Sequence, residues 1–125
     1  MKSYVDLDQA RKLAEILPLE SADMCYIKGK AHLGFLYEEY KEFGDSILQE
    51  YEPCWSIASL YSILPNNEEK STNLSKGCWN FDPLEYSDKW WCKYKDGEGG
   101  VSVSADNPVD ACYEMIVKLY KMNLL

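Results

Sequence analysis

The sequence predicts a domain of the α+β class, with N-terminal helices, a three-stranded antiparallel meander and a C-terminal helix packed on the sheet. Three observations lead to this class. Apolar residues recur at helical spacing in the first half of the chain and in the last twenty residues, and they alternate as in a strand over Lys89–Lys95. The glycine-rich stretch Asp96–Gly100 then leads into a second alternating segment. A length of 125 residues suits a single globular domain, residues 1–125.

The first helix has a well-marked start and end. Asp6 and Gln9 have the spacing of a capping box, and apolar residues follow at helical spacing as far as Leu17. Pro18 then ends the helix. Met24–Ile27 is predicted as a short extended segment.

The middle of the chain is predicted as loop, helix, turn and helix. Lys28–Lys30 forms the loop, and Leu33–Phe43 carries apolar residues at helical spacing. A short turn through Ile47–Tyr51 follows. Trp55–Leu64 is the third helix, entered through Pro53, and its largely apolar composition predicts burial.

The second half of the chain changes to strand patterns. Asn66–Asn73 is polar and is predicted as a surface connection, and Leu74–Phe81 as a strand in which Gly77 marks a bulge. Lys89–Lys95 is predicted as a half-buried strand, and Val101–Ser104 as its hairpin partner. A meander of this size is stable only when its apolar face is covered.

The last helix is the predicted cover for that sheet, with the Trp55–Leu64 helix beside it. Asn107 suits an N-cap, Pro108 the first helical position and Asp110 the first turn, where the helix dipole favours negative charge. One apolar stripe follows, formed by Cys112, Met115, Ile116 and Leu119.

The charge is unevenly distributed. The net charge is −8, and Leu33–Glu69 contains eight acidic residues against one lysine, a net −7. The negative field of this stretch repels the phosphate backbone, which argues against direct nucleic-acid binding. The stretch is then explained either by solubility or by binding to a basic partner.

The remaining composition predicts a cytoplasmic protein without a cofactor. The sequence shows no run approaching the eighteen or so apolar residues of a membrane span and no export signal. Five cysteines, an odd number, are then expected as reduced, mostly buried thiols. There is no C-x-x-C pair and His32 is the sole histidine, so no zinc site is predicted.

A set of scattered blocks resembles a group of small uncharacterised proteins of gut-dwelling bacteria and their phages or mobile elements. The blocks are Ala22–Met24, Pro53–Ile57 closing at Leu64 and Pro65, Trp91–Tyr94, and Asp106–Ala111 with Glu114 and Met115. The resemblance implies a mobile-element setting and no residue role.

The candidate catalytic patterns favour structural roles. Glu38 and Glu42 lie four apart on one predicted helical face, which is typical of a solvated surface. Cys54, near a predicted helix start, would need His32 as its base, a distant and isolated partner. The glycines of Gly97–Gly100 join two strands, so they are predicted as a turn rather than a phosphate-binding loop.

The strongest candidate surface surrounds Trp91. Alternation places Trp91 and Lys93 on one face of their strand, where Trp91 is either an exposed interface anchor or part of a second core. The leading prediction is a non-enzymatic module that binds a protein partner or self-associates, through Trp91, Lys93, Tyr37, Glu38 and Glu42. The alternatives are an acidic DNA mimic or inhibitor of a mobile element, and an enzyme with an unrecognised site.

Overall fold

The computed structural model describes residues 2–34, 51–77 and 88–125. The chain divides into two compact units, Tyr4–Ser59 and, together, Met1–Ser3 and Leu60–Leu125. We call them the N-terminal unit and the C-terminal unit. Within the described ranges the helices are α1 (Leu7–Ile16), α2 (Ile57–Ile63) and α3 (Pro108–Lys121), and a 3-10 turn covers Leu19–Ser21. The strands are β1 (Met24–Ile27), β2 (Lys30–Leu33), β3 (Tyr51–Cys54), β4 (Ser71–Lys76), β5 (Trp90–Asp96) and β6 (Gly99–Ala105).

The N-terminal unit contains an antiparallel sheet in the order β2-β1-β3. Its helix α1 begins with the predicted capping box, in which Asp6 accepts a hydrogen bond from the backbone of Gln9 at 2.8 Å and the Gln9 side chain accepts from the backbone of Asp6. Trp55 is fully buried, and its indole donates to Ser21 Oγ at 2.9 Å. The large ring and its satisfied N–H anchor this core.

This N-terminal sheet corrects the sequence prediction for the middle of the chain. Leu33 ends β2 rather than beginning a helix, and its side chain is 90% exposed. Tyr51 lies in β3 rather than in a turn. Pro53 also lies in β3, which it can do because β3 is an outer strand of its sheet, where a missing N–H is tolerated. Gly34, with φ of 88°, is not helical either, and residues 35–43 of the predicted Leu33–Phe43 helix lie outside the described residues.

The third predicted helix is shorter than expected. It begins at Ile57 rather than Trp55, because Ser56 caps it: Ser56 Oγ accepts a hydrogen bond from the backbone of Ser59 at 3.2 Å. Asp23 in turn accepts from the backbone N–H of Ser56 at 2.9 Å and from its hydroxyl.

The C-terminal unit contains the predicted antiparallel meander, in the order β4-β5-β6. Cys92 lies opposite Leu74 and Val103, and Tyr94 lies opposite Thr72 and Val101. Since directly opposed residues point to the same side of a sheet, these six side chains share one face. Cys92, Tyr94 and Thr72 are buried and the others are half-buried.

Helix α3 packs on this apolar face, as predicted. Asn107 accepts from the backbone of Asp110 at 2.8 Å, and Pro108 occupies the first turn. The predicted stripe of Cys112, Met115, Ile116 and Leu119 is fully buried. Lys2 forms an ion pair of 2.8 Å with Asp110.

The first strand of the meander starts earlier than predicted. Ser71–Asn73 belongs to β4 rather than to a surface connection, and β4 ends at Lys76. Gly77, with φ of 107°, follows the strand, and its N–H donates to the carbonyl of Lys89 at 3.1 Å. The remainder of the predicted Leu74–Phe81 strand lies outside the described residues.

We expect Asn107→Ala to lower the free energy of unfolding by about 1 kcal/mol, because the N-terminal N–H groups of α3 lose their side-chain acceptor. Urea unfolding followed by circular dichroism measures this change. Asn107→Ser, which keeps an acceptor, should cost only a few tenths of a kcal/mol, about as little as other good caps differ among themselves. Equal losses in the two variants would show that the cap is not what stabilises the helix start.

Candidate functional site

Four of the five cysteines lie in the described residues, and all four are buried. Cys78 lies outside the described residues. Cys25, Cys54, Cys92 and Cys112 are free cysteines. Cys92 on β5 and Cys112 on α3 face each other, and the hydrogen bond between them together with burial raises the pKa of Cys92. Burial also raises the pKa of Cys25. Raised thiol pKa values disfavour the thiolate, which is the reactive form.

The structure separates Cys54 from His32. Cys54 ends strand β3 rather than standing at a helix start, and burial raises its pKa to about 12. His32 lies on β2, which is separated from β3 by β1. His32 is opposite Cys25 whereas Cys54 is opposite Met24, so the two side chains point to opposite faces of the sheet. Their arrangement does not form a nucleophile and base.

The polar cluster at the start of α2 is a helix cap. Asp23 accepts both the hydroxyl and the backbone N–H of Ser56, and Ser56 Oγ accepts from Ser59. The Asp23 carboxylate thus accepts hydrogen bonds from both the hydroxyl and the backbone N–H of Ser56. This is the arrangement of a cap, which satisfies the free N–H groups at a helix start.

The second face of the C-terminal sheet, which we call the polar face, is the most distinctive surface in the described residues. It carries the residues that alternate with the apolar ones: Ser71, Asn73, Ser75, Trp91, Lys93, Lys95, Gly100, Ser102 and Ser104. They form cross-strand rows, with Lys95 between Ser71 and Gly100, Lys93 between Asn73 and Ser102, and Trp91 between Ser75 and Ser104.

The two ends of the polar face differ in exposure. Asn73, Lys95, Gly100 and Ser102, at the end near the β5–β6 turn, are exposed. A concavity of about 520 Å³ lies there, and its polar-face lining includes Ser71, Asn73, Lys93, Lys95, Gly100 and Ser102. At the other end Ser75, Trp91 and Ser104 are half-buried.

The hairpin turn beside the concavity is fixed by Asp96. Tyr94 donates its hydroxyl to Asp96 Oδ2 at 2.7 Å, and the backbone of Glu98 donates to Asp96 Oδ1 at 2.8 Å. These hydrogen bonds, the Tyr94 hydroxyl first, lower the pKa of Asp96, and the same hydroxyl contact raises the pKa of Tyr94. The predicted Gly97–Gly100 turn is therefore a tight turn between strands, with Asp96 paired to Gly99.

Trp91 is only partly exposed to solvent. Its ring is half-buried, whereas Nε1 is buried and has no hydrogen-bond partner within the described part of the chain. A buried N–H without a partner costs about 1–3 kcal/mol. Desolvation also lowers the pKa of Lys93, which lies two residues from Trp91 on the same face of β5.

The structure brings together two of the five predicted surface residues. Trp91 and Lys93 share the polar face, whereas Tyr37, Glu38 and Glu42 lie outside the described residues. Sequence reasoning missed Ser71, Asn73 and Ser102. The signal was present in the first of these strands, where polar Ser71, Asn73 and Ser75 alternate with Thr72 and Leu74.

The acidic stretch is described only in part. Glu38, Glu39, Glu42, Asp45 and Glu50 lie outside the described residues. Glu52 forms an ion pair with Arg11, with Arg11 Nε 2.8 Å from Glu52 Oε1. Within the described ranges, no group of three or more His, Cys, Asp and Glu side chains is placed to hold a metal ion. No helix in the described ranges is long and apolar enough to cross a membrane.

Comparison with protein-family models, with curated proteins and with solved structures finds no match for this chain.

The buried thiols should resist alkylation. We expect Cys25, Cys54, Cys92 and Cys112 of the native protein to react with iodoacetamide far more slowly than a free cysteine at pH 7.5, because each is buried. Peptide mass spectrometry locates the label, and the protein unfolded in guanidinium provides the reactive reference. Rapid labelling of Cys54 in the native protein would contradict its assignment as a structural thiol.

Alkaline pH should destabilise the fold. Burial raises the pKa of Tyr26 to about 12 and that of Cys54 to about 12, whereas both groups ionise at their ordinary, lower values when unfolded. Their contribution to stability is therefore complete below those ordinary values and is lost as the pH rises through about 12. Urea unfolding from pH 8 to 11 should show a steady fall, and Tyr26→Phe should lessen its slope above pH 10. An identical slope in Tyr26→Phe would contradict the role of Tyr26.

Proposed function

We propose that this chain is a non-enzymatic protein-interaction module and that its contact surface is the polar face of the C-terminal sheet. The observation that carries the proposal is the contrast between the two faces. Helix α3 buries one face, whereas the other presents a half-buried tryptophan and an exposed concavity with polar and lysine side chains. Tryptophan is enriched among the energetic anchors of interfaces, and polar groups are typical of the surrounding rim.

The chemistry of the other candidates supports a binding role. A catalytic thiol needs a lowered pKa and a nearby base, but Cys54 is buried and has a raised pKa. The Ser56 hydroxyl donates a hydrogen bond to Asp23 and accepts one from the backbone of Ser59, as part of a helix cap. A cytoplasmic location fits the four free buried thiols, because thiols remain reduced there.

The size of the polar face predicts a weak and reversible contact. Three strands at about 4.8 Å spacing and six residues at about 3.4 Å rise give a face of roughly 300 Å². A stable complex of ordinary size buries about 800 Å² on each partner. The polar face alone therefore suits transient association, unless neighbouring surface joins the interface.

Substitution of Ser102 by a bulky residue tests the proposal. Ser102→Tyr adds a large side chain to the exposed end of the polar face. We expect it to reduce partner binding at least about tenfold, because it prevents close approach to the face. Partners are captured from the native host cells with immobilised protein, and self-association is measured by size-exclusion chromatography with light scattering.

Ser3→Tyr, a matched change at an exposed serine outside the polar face, is the control and should bind as the original protein does. Circular dichroism verifies that both variants are folded. A strictly monomeric protein that captures no partner, or a partner retained equally by both variants, would refute the proposed surface.

A further inference from the structure

Strand β6 is an edge strand whose backbone is accessible to solvent. In the sheet β4-β5-β6 it pairs with β5 on one side. Gly99, Gly100 and Ser102 are exposed. Since glycine has no side chain, the exposure of the two glycines is exposure of the backbone itself. An edge strand presents N–H and C=O groups that a further strand can pair with, so the β6 edge is a candidate contact in addition to the polar face.

The hairpin register shows which backbone groups of β6 point outward. Asp96 and Gly99 close a two-residue turn, and the two residues that close such a turn exchange backbone hydrogen bonds with each other. Hydrogen-bonded and non-hydrogen-bonded pairs alternate along an antiparallel ladder. The N–H and C=O groups of Gly100, Ser102 and Ser104 therefore point away from β5.

The strand at the opposite edge of the sheet is tied to α2 and to the residues that follow it. The Tyr61 hydroxyl, on α2, donates to the carbonyl oxygen of Thr72 in β4 at 3.1 Å. Thr72 Oγ1 in turn donates to the carbonyl oxygen of Pro65 at 2.8 Å. Natural sheets also protect an edge with charged side chains, especially lysine, or with proline. β4 ends in Lys76, whereas β6 contains no ionisable residue and no proline.

The sequence of β6 is nearly symmetric about Ser102. When two β6 strands pair in antiparallel fashion with this residue at the centre, all 7 residues of each strand are paired. Val101 then lies opposite Val103 of the second copy, and Gly100 lies opposite its Ser104. The valines of both copies lie on the α3 side of the sheet and the serines on the polar side. The pairing therefore joins apolar with apolar and polar with polar side chains.

Helix α3 supplies a second contact between two copies paired in this way. It packs mainly over β5 and β6. With strands about 4.8 Å apart, the α3 helices of two copies paired through β6 lie about 10 Å from each other. The axes of packed helices are about 8–10 Å apart. The two helices thus reach contact distance on one side of the joined sheet.

We propose that two copies of this chain associate by antiparallel pairing of their β6 strands, with Ser102 of one copy opposite Ser102 of the other. Each of Gly100, Ser102 and Ser104 then exchanges backbone hydrogen bonds with a residue of the second copy. The contact is isologous and its two-fold axis is perpendicular to the sheet, so the two polar faces lie on the same side of one joined sheet. The inference goes beyond the proposed function, because it concerns the strand edge and holds whatever partner the polar face binds.

The size of the contact predicts a weak dimer. A strand of 7 residues is about 24 Å long, and an edge about 10 Å thick gives roughly 240 Å² on each copy. An ordinary stable complex buries about 800 Å² on each partner. We therefore expect a dissociation constant between about 10 and 200 μM, measured by sedimentation equilibrium. Because each copy has a net charge of −8, raising the salt concentration from about 50 to about 300 mM should tighten association severalfold.

Amide hydrogen exchange of the original protein locates the contact. The N–H groups of Gly100, Ser102 and Ser104 should exchange at least about threefold more slowly at about 1 mM than at about 10 μM protein, because pairing removes them from water. Val101 and Val103 serve as internal references. Their N–H groups face β5 in the single copy and should exchange at the same rate at both concentrations.

Paired charge variants test the register. Ser102→Lys and Ser102→Glu each place two like charges directly opposite one another in the dimer, and each should weaken dimerisation about three- to tenfold. An equimolar mixture of the two variants should dimerise at least as tightly as the original protein, because opposite charges then face each other. Ser3→Lys and Ser3→Glu, at an exposed serine outside β6, are the controls and should dimerise as the original protein does. Circular dichroism verifies that all four variants are folded.

Three outcomes would overturn the inference: a strict monomer at about 1 mM protein, a dimer in which the amides of Gly100, Ser102 and Ser104 are not protected, and charge variants whose mixture does not recover dimerisation. The second outcome would assign association to another surface of the chain. A monomer that still captures a partner, and loses it in Ser102→Tyr, would refute this inference and leave the proposed function standing.

Discussion

The burial of one helix stripe against one sheet face is the constraint on which the C-terminal unit depends. Met115, Ile116 and Leu119 are fully buried on α3, which packs on the meander. Full burial of such side chains is worth about 1.5–3 kcal/mol each, and a three-stranded meander needs a covered apolar face to be stable. Because side chains alternate between the two faces of a strand, the residues that pack against α3 determine which residues lie on the polar face. The candidate site is a consequence of the core.

Tyr94 connects that core to the exposed concavity. Its ring is buried on the α3 side, yet its hydroxyl reaches Asp96, whose other oxygen accepts from the β5–β6 turn. The hairpin end that borders the concavity is thus held by a buried side chain rather than by solvent-exposed contacts alone. Such preorganisation reduces the ordering cost of binding, which matters most for a small interface.

The sequence predicted the capped helices and the longest strand because their signals are local and repeated. Asp6 with Gln9, and Asn107 with Pro108, mark helix starts in a few residues, and Lys89–Lys95 alternates long enough to identify its faces. The N-terminal sheet has no such signal, since its strands have only four residues each, β1 is largely buried and apolar, and β3 contains Pro53. Pairing between distant segments, which sequence periodicity does not encode, makes those residues strands. The candidate site shows the same limit. Alternation along one strand predicts that Trp91 and Lys93 share a face, but only the register between strands places Asn73 and Ser102 beside Lys93.

The polar face combines a small area with a fixed arrangement of charged and hydrogen-bonding groups. A surface of roughly 300 Å² supplies little affinity by itself, so the selectivity of any surface of this size depends on where its charged and hydrogen-bonding groups lie. Lys93 and Lys95 are held in register by ladder pairing on both sides, which fixes the positions of their backbones. Trp91, half-buried in the same strand, extends the face at its other end with an aromatic surface.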